Sequence, residues 1–371
     1  MGVEVTPVSG RREMRQFIRF PYALYRDDPH YVPPLMAERK EFFSDQNPVF
    51  EFLRVRYFLA RDEQGEIVGR TTAHVNERHN EFWDEQTGFF GFFESVERPE
   101  VAAALMEKAE SWLAEQGMET ARGPLNFSTN QECGFLVEGH DSPPFVMMPY
   151  TKSYYPQMFE DLGYRKARDL LAYSYEYDGD IPDHLVRFGQ RAAERSQVSV
   201  RSIDMDRFDE ELAAAFEVYN RAWSENWGFV PMTKAQFRFT ARNLKPIIDP
   251  ELALLAELDG EPVGLFLALP DINRILKKMN GRLWPFGWLR FLLGRRRLHH
   301  VRVIILGVVD EYRRRGVDSL LSYRAFQKGD RKGYNRAEFS WILEENELMR
   351  RALDRLGATP YKTCRIYEKR L

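Results

Sequence analysis

The sequence predicts an α/β (α+β) chain built as two tandem domains, and three observations carry that expectation. At 371 residues the chain is about twice what one ordinary domain requires. Hydrophobic residues are 44% and aromatic residues 14% of the chain, which is a folded composition with large cores and not a disordered one. The chain also resembles itself, with five landmarks recurring in one order. Val3-Glu-Val5 aligns with Val198-Ser-Val200 at an offset of 195, Val32-Pro33 with Val230-Pro231 at 198, and Gly65-Glu-Ile-Val-Gly69 with Gly260-Glu-Pro-Val-Gly264 at 195. A helix closing on Gly117 then matches one closing on Gly333 at 216, and Leu162-Gly163 matches Leu356-Gly357 at 194. The drift places two insertions, at 271–300 in the second half and 124–153 in the first, where specificity is expected. The expected domains are 1–180 and 195–371.

Each element of the second half has a local reason. A strand at 198–203 precedes a helix at 205–222, and a second helix starts at Thr233, whose hydroxyl is a cap. A hairpin turns at Asp259-Gly260. The β-branched run at 301–309 reads as a central strand buried on both faces. Val317, Leu320, Leu321 and Ala325 then share one helix face, with Gly333 at its exit. A strand at 337–343, a helix ending at Gly357 and a strand at 361–368 complete the order β-α-α-β-β-β-α-β-α-β. The first half reads alike, with 88–94 as central strand and a helix over 99–116.

Lys plus Arg number 53 against 56 Asp plus Glu, a net charge of −3, so the whole molecule gives no reason to expect nucleic acid. Two cysteines, Cys133 and Cys364, without CxxC or Cys/His ligand spacing, point to no metal and to a reducing, cytoplasmic setting. The first residues lack a signal-peptide run, and no stretch of about 18 apolar residues could span a bilayer.

The turn between the central strand and the following helix, Val308-Val-Asp-Glu-Tyr-Arg-Arg-Arg-Gly-Val-Asp-Ser319, together with the order of elements, resembles the Gcn5-related N-acetyltransferase (GNAT) superfamily. The resemblance implies that each domain is a mixed, mainly antiparallel central sheet flanked by helices. It also implies acetyl-CoA or a longer acyl-CoA as co-substrate. In the superfamily's Arg/Gln-x-x-Gly-x-Gly/Ala loop, backbone N–H groups at a helix start cradle the pyrophosphate. Carried onto this sequence, the donor-binding residues are Val308, Val309, Arg313, Arg314, Arg315, Gly316, Val317, Asp318 and Ser319, with an N–H near Val308 and Val309 for the oxyanion. Asp318 replaces the usual Gly or Ala and either crowds a diphosphate or caps the helix. Asn346 matches the superfamily Asn that meets pantetheine, while Leu353 stands where a Tyr often serves as general acid. The first half has Glu94, Glu97 and Glu100 in the matching loop, and the expectation there is an acceptor-binding partner without the pyrophosphate loop. Asp28-Pro-His-Tyr-Val-Pro-Pro34, Gly123-Pro-Leu-Asn-Phe-Ser128, Pro143-Pro144 and Tyr154-Tyr155-Pro156 resemble a family of uncharacterised bacterial tandem proteins, and the paired arrangement is more distantly similar to Fem-type aminoacyl transferases.

In the first insertion Asn126, Ser128, Asn130, Tyr150, Tyr154 and Tyr155 either line an acceptor cleft or satisfy a packed loop. Glu132 and Tyr155 are the catalytic candidates, and Cys133 reads as an inert thiol. Residues 274–300 hold eight Lys/Arg and no acid, interleaved with Trp, Phe and Leu, so the remainder carries −11. That segment reads as a lid, or as a peripheral contact with the inner membrane surface or an acyl-carrier protein, broken at Pro285 and Gly287. The combined expectation is an acyltransferase moving an acyl group from acyl-CoA to an amine of a small-molecule or lipid-like acceptor. The alternatives are an inactive binding protein of the same fold and an aminoacyl-tRNA-dependent transferase, for which the basic segment would meet RNA phosphates.

Overall fold

The computed structural model, which describes residues 2–371, gives both copies of the repeat the same run of strands. The first copy contains β1 (Glu4–Pro7), α1 (Gly10–Leu24), α2 (Met36–Phe42), β2 (Leu53–Arg61), β3 (Ile67–Asn76), α3 (Glu77–Trp83) and β4 (Thr87–Ser95). It continues with α4 (Pro99–Glu115), β5 (Thr120–Gly123), β6 (Phe135–Glu138), α5 (Tyr155–Asp161) and β7 (Arg165–Glu176). After α6 (Asp183–Arg195) come β8 (Ser199–Ser202), α7 (Phe208–Ala222), α8 (Lys234–Leu244), β9 (Ala253–Leu258) and β10 (Glu261–Pro270). The insertion forms α9 (Asn273–Met279) and α10 (Gly287–Gly294), followed by β11 (His300–Val308), α11 (Val317–Arg331), β12 (Arg336–Leu343), α12 (Glu347–Leu356) and β13 (Thr359–Arg370).

Two compact units result. Unit 1 runs to Leu171 and adds Met279–Leu283 and Lys362–Leu371, while unit 2 is Ala172–Lys278 with Trp284–Tyr361. The change-over falls inside β7 and β13, not in a linker near 180–195, because β13 pairs with β5 from Tyr367↔Gly123 to Arg370↔Thr120 and with β6 at Arg365↔Phe135. In unit 1, β1, β2, β3 and β4 are antiparallel neighbours and β4 meets β5 in parallel. In unit 2, β8, β9, β10 and β11 repeat that meander and β11 meets β12 in parallel. Each unit is thus a mixed, mainly antiparallel sheet flanked by helices.

Both central strands are apolar on two faces because each is covered twice. Phe90 and Phe93 of β4 pack with Val101, Leu105, Met106 and Leu113 of α4, while Phe92 joins Phe17, Phe42 and Phe127 on the other side. In unit 2, Val301, Val303 and Val308 of β11 meet Val317, Leu321 and Ala325 of α11. Caps set the helix ends. The Gln236 N–H donates to Thr233 Oγ1 at 3.1 Å and Gln236 Oε1 accepts from the Thr233 N–H at 2.9 Å, a complete capping box at the start of α8. Gly357 leaves α12 at φ +87°, a conformation that favours glycine.

Candidate functional site

In unit 2 the parallel seam between β11 and β12 opens. The two strands pair from His300↔Arg336 to Val303↔Phe339 and no further, although they continue to Val308 and Leu343. The freed edge of β11 therefore has unpaired polar groups facing away from β10. The Val309 N–H is not among them, since it donates to the Val263 carbonyl at 3.0 Å. Of the two valines expected near the oxyanion, Val309 therefore has its amide engaged. Strand alternation leaves the Val308 N–H directed to the open edge. Beside the opening, under α11, lies a cavity of about 80 Å³. Val303 and Phe339, the last paired residues, line it with Leu306, Phe266, Ala325 and Phe326. Tyr177, Ser322, Asp330 and Arg336 are among the polar residues in its mostly apolar lining.

The loop before α11 is only partly what the motif implies. Gly316 sits at φ +82° as the N-cap, and no side chain caps the helix, so the first-turn amides lack a capping side chain. Asp318 is exposed and does not close the helix start. Arg314 and Arg315 are exposed, the latter with its guanidinium 5.3 Å from the Tyr312 ring centre. Arg313 is otherwise engaged. It donates to the Ala222 carbonyl at 2.8 Å and the Val308 carbonyl at 3.3 Å and pairs with Asp310 at 2.7 Å, tying the end of β11 to α7. Val317 is a core residue and Ser319 is half-buried. Asn346 is the N-cap of α12, where its Oδ1 accepts from the Met349 N–H at 3.1 Å. Leu353 is buried in the same helix.

Unit 1 has the matching seam, but it is shut. β4 and β5 pair from Thr87↔Thr120 to Phe89↔Arg122. Beyond that the Leu125 N–H donates to the Phe90 carbonyl at 2.8 Å, and Asn126 Oδ1 accepts the Phe92 N–H at 2.8 Å. Gly91 permits this approach, because a Cβ there would stand 2.0 Å from the Leu125 oxygen. Asn126 Nδ2 donates to Glu132 at 3.2 Å, and Glu132 also lies 3.9 Å from Arg39. Ser128 accepts from the Asn130 N–H at 3.3 Å. These four residues belong to the loop that seals the strand edge, and Asn126 and Glu132 are half-buried there.

The tyrosines of the same insertion gather elsewhere, around Glu94 at the end of β4. Tyr155 and Tyr25 donate to Glu94 Oε2 at 2.8 and 2.7 Å, and Tyr155 also accepts the Ser95 N–H at 2.9 Å. Tyr154 donates to the Ser95 carbonyl at 2.7 Å. Tyr31 stacks on Tyr25 at 4.3 Å. Tyr150 lies 3.0 Å from Asp28, which pairs with Lys152 at 3.2 Å. Arg70 is the register partner of Glu94 on β3; its Nε, buried, has no hydrogen-bond partner. Burial pushes Glu94 up from 4.5 to about 7, against the opposing pull of Arg70 and the two tyrosines. The sequence places Glu94 with Glu97 and Glu100 in the loop, and its position at the end of the aromatic run 88–94 is the signal that sets it apart. Arg70, Tyr25 and Lys152 were not singled out.

Cys133 and Cys364 are buried and form no disulfide. His299 contacts the Gly333 carbonyl at 3.0 Å, and burial with Arg274 nearby holds His300 down at about 4. Among the described residues no group of three or more His, Cys, Asp or Glu could hold a metal ion, and no helix is long and apolar enough to cross a membrane.

No protein-family model matches the chain. The chain is 39% identical to Protein YghO of Escherichia coli K12 over 369 residues, covering 97% of this chain and 94% of that one. It is 37% identical to the bacterial ceramide synthase of Caulobacter vibrioides over 381 residues, covering 100% and 98%. Among solved structures, a tandem GNAT protein from the clavulanic acid biosynthesis pathway matches with TM-score 0.59 at 12% identity, over 100% of this chain and 98% of that one. A GCN5-related N-acetyltransferase from Sphaerobacter thermophilus matches with TM-score 0.52 at 15% identity, over 99% and 95%. The likeness to Fem-type transferases is carried by none of these four. With the same strand meander in both units, and identity to both relatives along nearly its whole length, the protein has a tandem GNAT fold and belongs to the family of Protein YghO and the bacterial ceramide synthase.

Proposed function

We propose that the protein is an N-acyltransferase that takes a long acyl chain from an acyl-CoA held in unit 2 and passes it to the amine of a lipid-like amino alcohol. The observation that carries this reading is the contrast between the seams: β11 and β12 part over an apolar cavity beside an uncapped helix start, whereas the equivalent parting in unit 1 is sealed by Leu125 and Asn126. The first-turn amides of α11, with Arg314 and Arg315, fit a diphosphate. The Val308 N–H fits a carbonyl oxygen on which charge develops. The apolar lining beside the seam suits hydrocarbon better than a polar group. A relative 37% identical to this chain is named a ceramide synthase, and a ceramide is a fatty acid in amide linkage to a long-chain amino alcohol. Acyl transfer forms the C–N bond and breaks the thioester C–S bond, and the proton lost by the amine ends on the thiolate. Leu353 cannot supply that proton, nor can any hydroxyl of α12, which has none.

The test is to mix purified protein with sphinganine and either palmitoyl-CoA or acetyl-CoA, reading amide product by mass spectrometry and free thiol by absorbance. N-palmitoyl product is expected in excess over N-acetyl product, and Ala325→Trp, which fills the cavity, is expected to move the preference to shorter chains. Arg314→Glu with Arg315→Glu, both at exposed positions, is expected to weaken acyl-CoA binding by about tenfold or more. Thiol release without amide, or chain preference unmoved by Ala325→Trp, would refute the assignment.

A further inference from the structure

The helix α10 is turned inside out for a water-facing element. Its inward positions are Gly287, Phe291 and Gly294, with Gly294 so near α9 that a Cβ would stand 3.0 Å from Ile275. Its outward positions are Trp288, Leu289, Leu292 and Leu293, all exposed. Just before it Trp284 is 76% and Phe286 69% exposed, and Leu293 reaches 63%. A soluble helix places its apolar stripe the other way, and a contiguous patch of this kind marks a surface that meets another apolar phase. The patch is edged with cations. Lys277 and Lys278 close α9, Arg290 donates to the Lys278 carbonyl at 2.8 Å, and Arg295, Arg296 and Arg297 form an exposed turn after α10. Residues 274–300 contain no Asp or Glu to neutralise them.

We propose that this face of unit 2 docks on an anionic lipid bilayer. Trp284, Phe286 and Trp288 suit the headgroup level, Leu292 and Leu293 the acyl boundary, and the arginines the lipid phosphates. Charge selects this occupant over a second copy of the chain, because two such faces brought together would oppose their cations. The large exposed rings and leucines select it over nucleic acid or a purely acidic protein surface. The docking lies along the membrane plane, since no described helix can span a bilayer.

The full chain is to be sedimented with vesicles of one part phosphatidylglycerol to three parts phosphatidylethanolamine, and separately with phosphatidylcholine alone. Binding to the anionic vesicles that falls with added salt is expected, with a blue shift of Trp emission. Arg295→Gln, Arg296→Gln and Arg297→Gln together are expected to weaken it on the order of 100-fold. Trp284→Ser with Leu293→Ser is expected to weaken binding and to reduce the blue shift, Trp288 being left as reporter, while the melting temperature stays put, since both side chains face solvent. Failure to bind either vesicle, binding untouched by both sets of substitutions, or substitutions that instead dissolve a homodimer or abolish capture of an acidic acyl-carrier protein would overturn the proposal. Docking is read without turnover, so its failure is distinguishable from failure of the acyl-transfer assignment.

Discussion

Replacing Glu94 by Gln should make unit 1 steadily more stable, relative to wild type, as pH rises. The unfolded chain releases the Glu94 proton near 4.5, whereas burial between β4 and the tyrosines holds it in the fold until about 7. The native state therefore binds the extra proton between those values, and wild-type stability from this group is full below 4.5 and lost as pH rises through 7. The gap amounts to roughly 3 kcal/mol at most. Gln imitates the protonated carboxyl and can still accept from Tyr25 and Tyr155, so it escapes the loss. Urea unfolding of both proteins from pH 4.5 to 8.5 reads the effect as the difference in midpoint at constant slope. Taking the difference removes shared titrations such as that of His74. A difference that does not change with pH would show that Glu94 ionises normally. One that moves against the variant at high pH would show that attraction to Arg70 outweighs desolvation.

Other outcomes follow from single contacts. Asn126→Ala leaves the Phe92 N–H without its acceptor and should destabilise by about 1–3 kcal/mol in thermal or urea unfolding. His74 is wholly buried, its Nε2 lacks a partner, and burial presses it from 6.5 to about 3. Its contribution is present above 6.5 and lost as pH falls toward 3, so His74→Leu should flatten the acid limb of the stability profile. Asp318→Ala should tighten CoA binding by about two- to fivefold in calorimetry, since it removes an exposed negative charge from the first turn of α11. Gly316→Glu is a poorer probe of the same loop, because φ +82° and the Ala192 Cβ 3.0 Å from a Cβ at this position would strain the fold as well as the site.

Much of the scaffold was readable from local chemistry. Thr233 with Gln236, the Asp259-Gly260 turn, Gly357 and the two-sided apolar strands each announce their element within a few residues, and the insertions stand out through the offset drift. The site was less readable because it rests on pairing between distant segments. Whether β11 stays with β12 is a matter of register, and nothing in Val308 and Val309 tells which amide is taken by Val263. Glu94 meets Arg70 only through a bulge at Phe92, whose φ is +48°. Asn126 could be read either way, because a polar side chain that seals a strand edge and one that binds an acceptor have the same sequence signature. Asn346 was ambiguous for the same reason, since a capping Asn is indistinguishable in sequence from one that meets pantetheine.

The split of β13 has a consequence for biogenesis. Unit 1 lacks the partner of β5 until residues 362–371 exist, and Arg122 reaches its ion-pair partner Glu368 across 246 positions of chain. Contacts of such separation form late. During synthesis the first half must wait, with the edge of β5 open to any stray strand, while the whole second half is made. Loss of the final ten residues would thus injure the beginning of the protein, and a chaperone that shelters the nascent chain would be guarding the N-terminal half for the C-terminal strand.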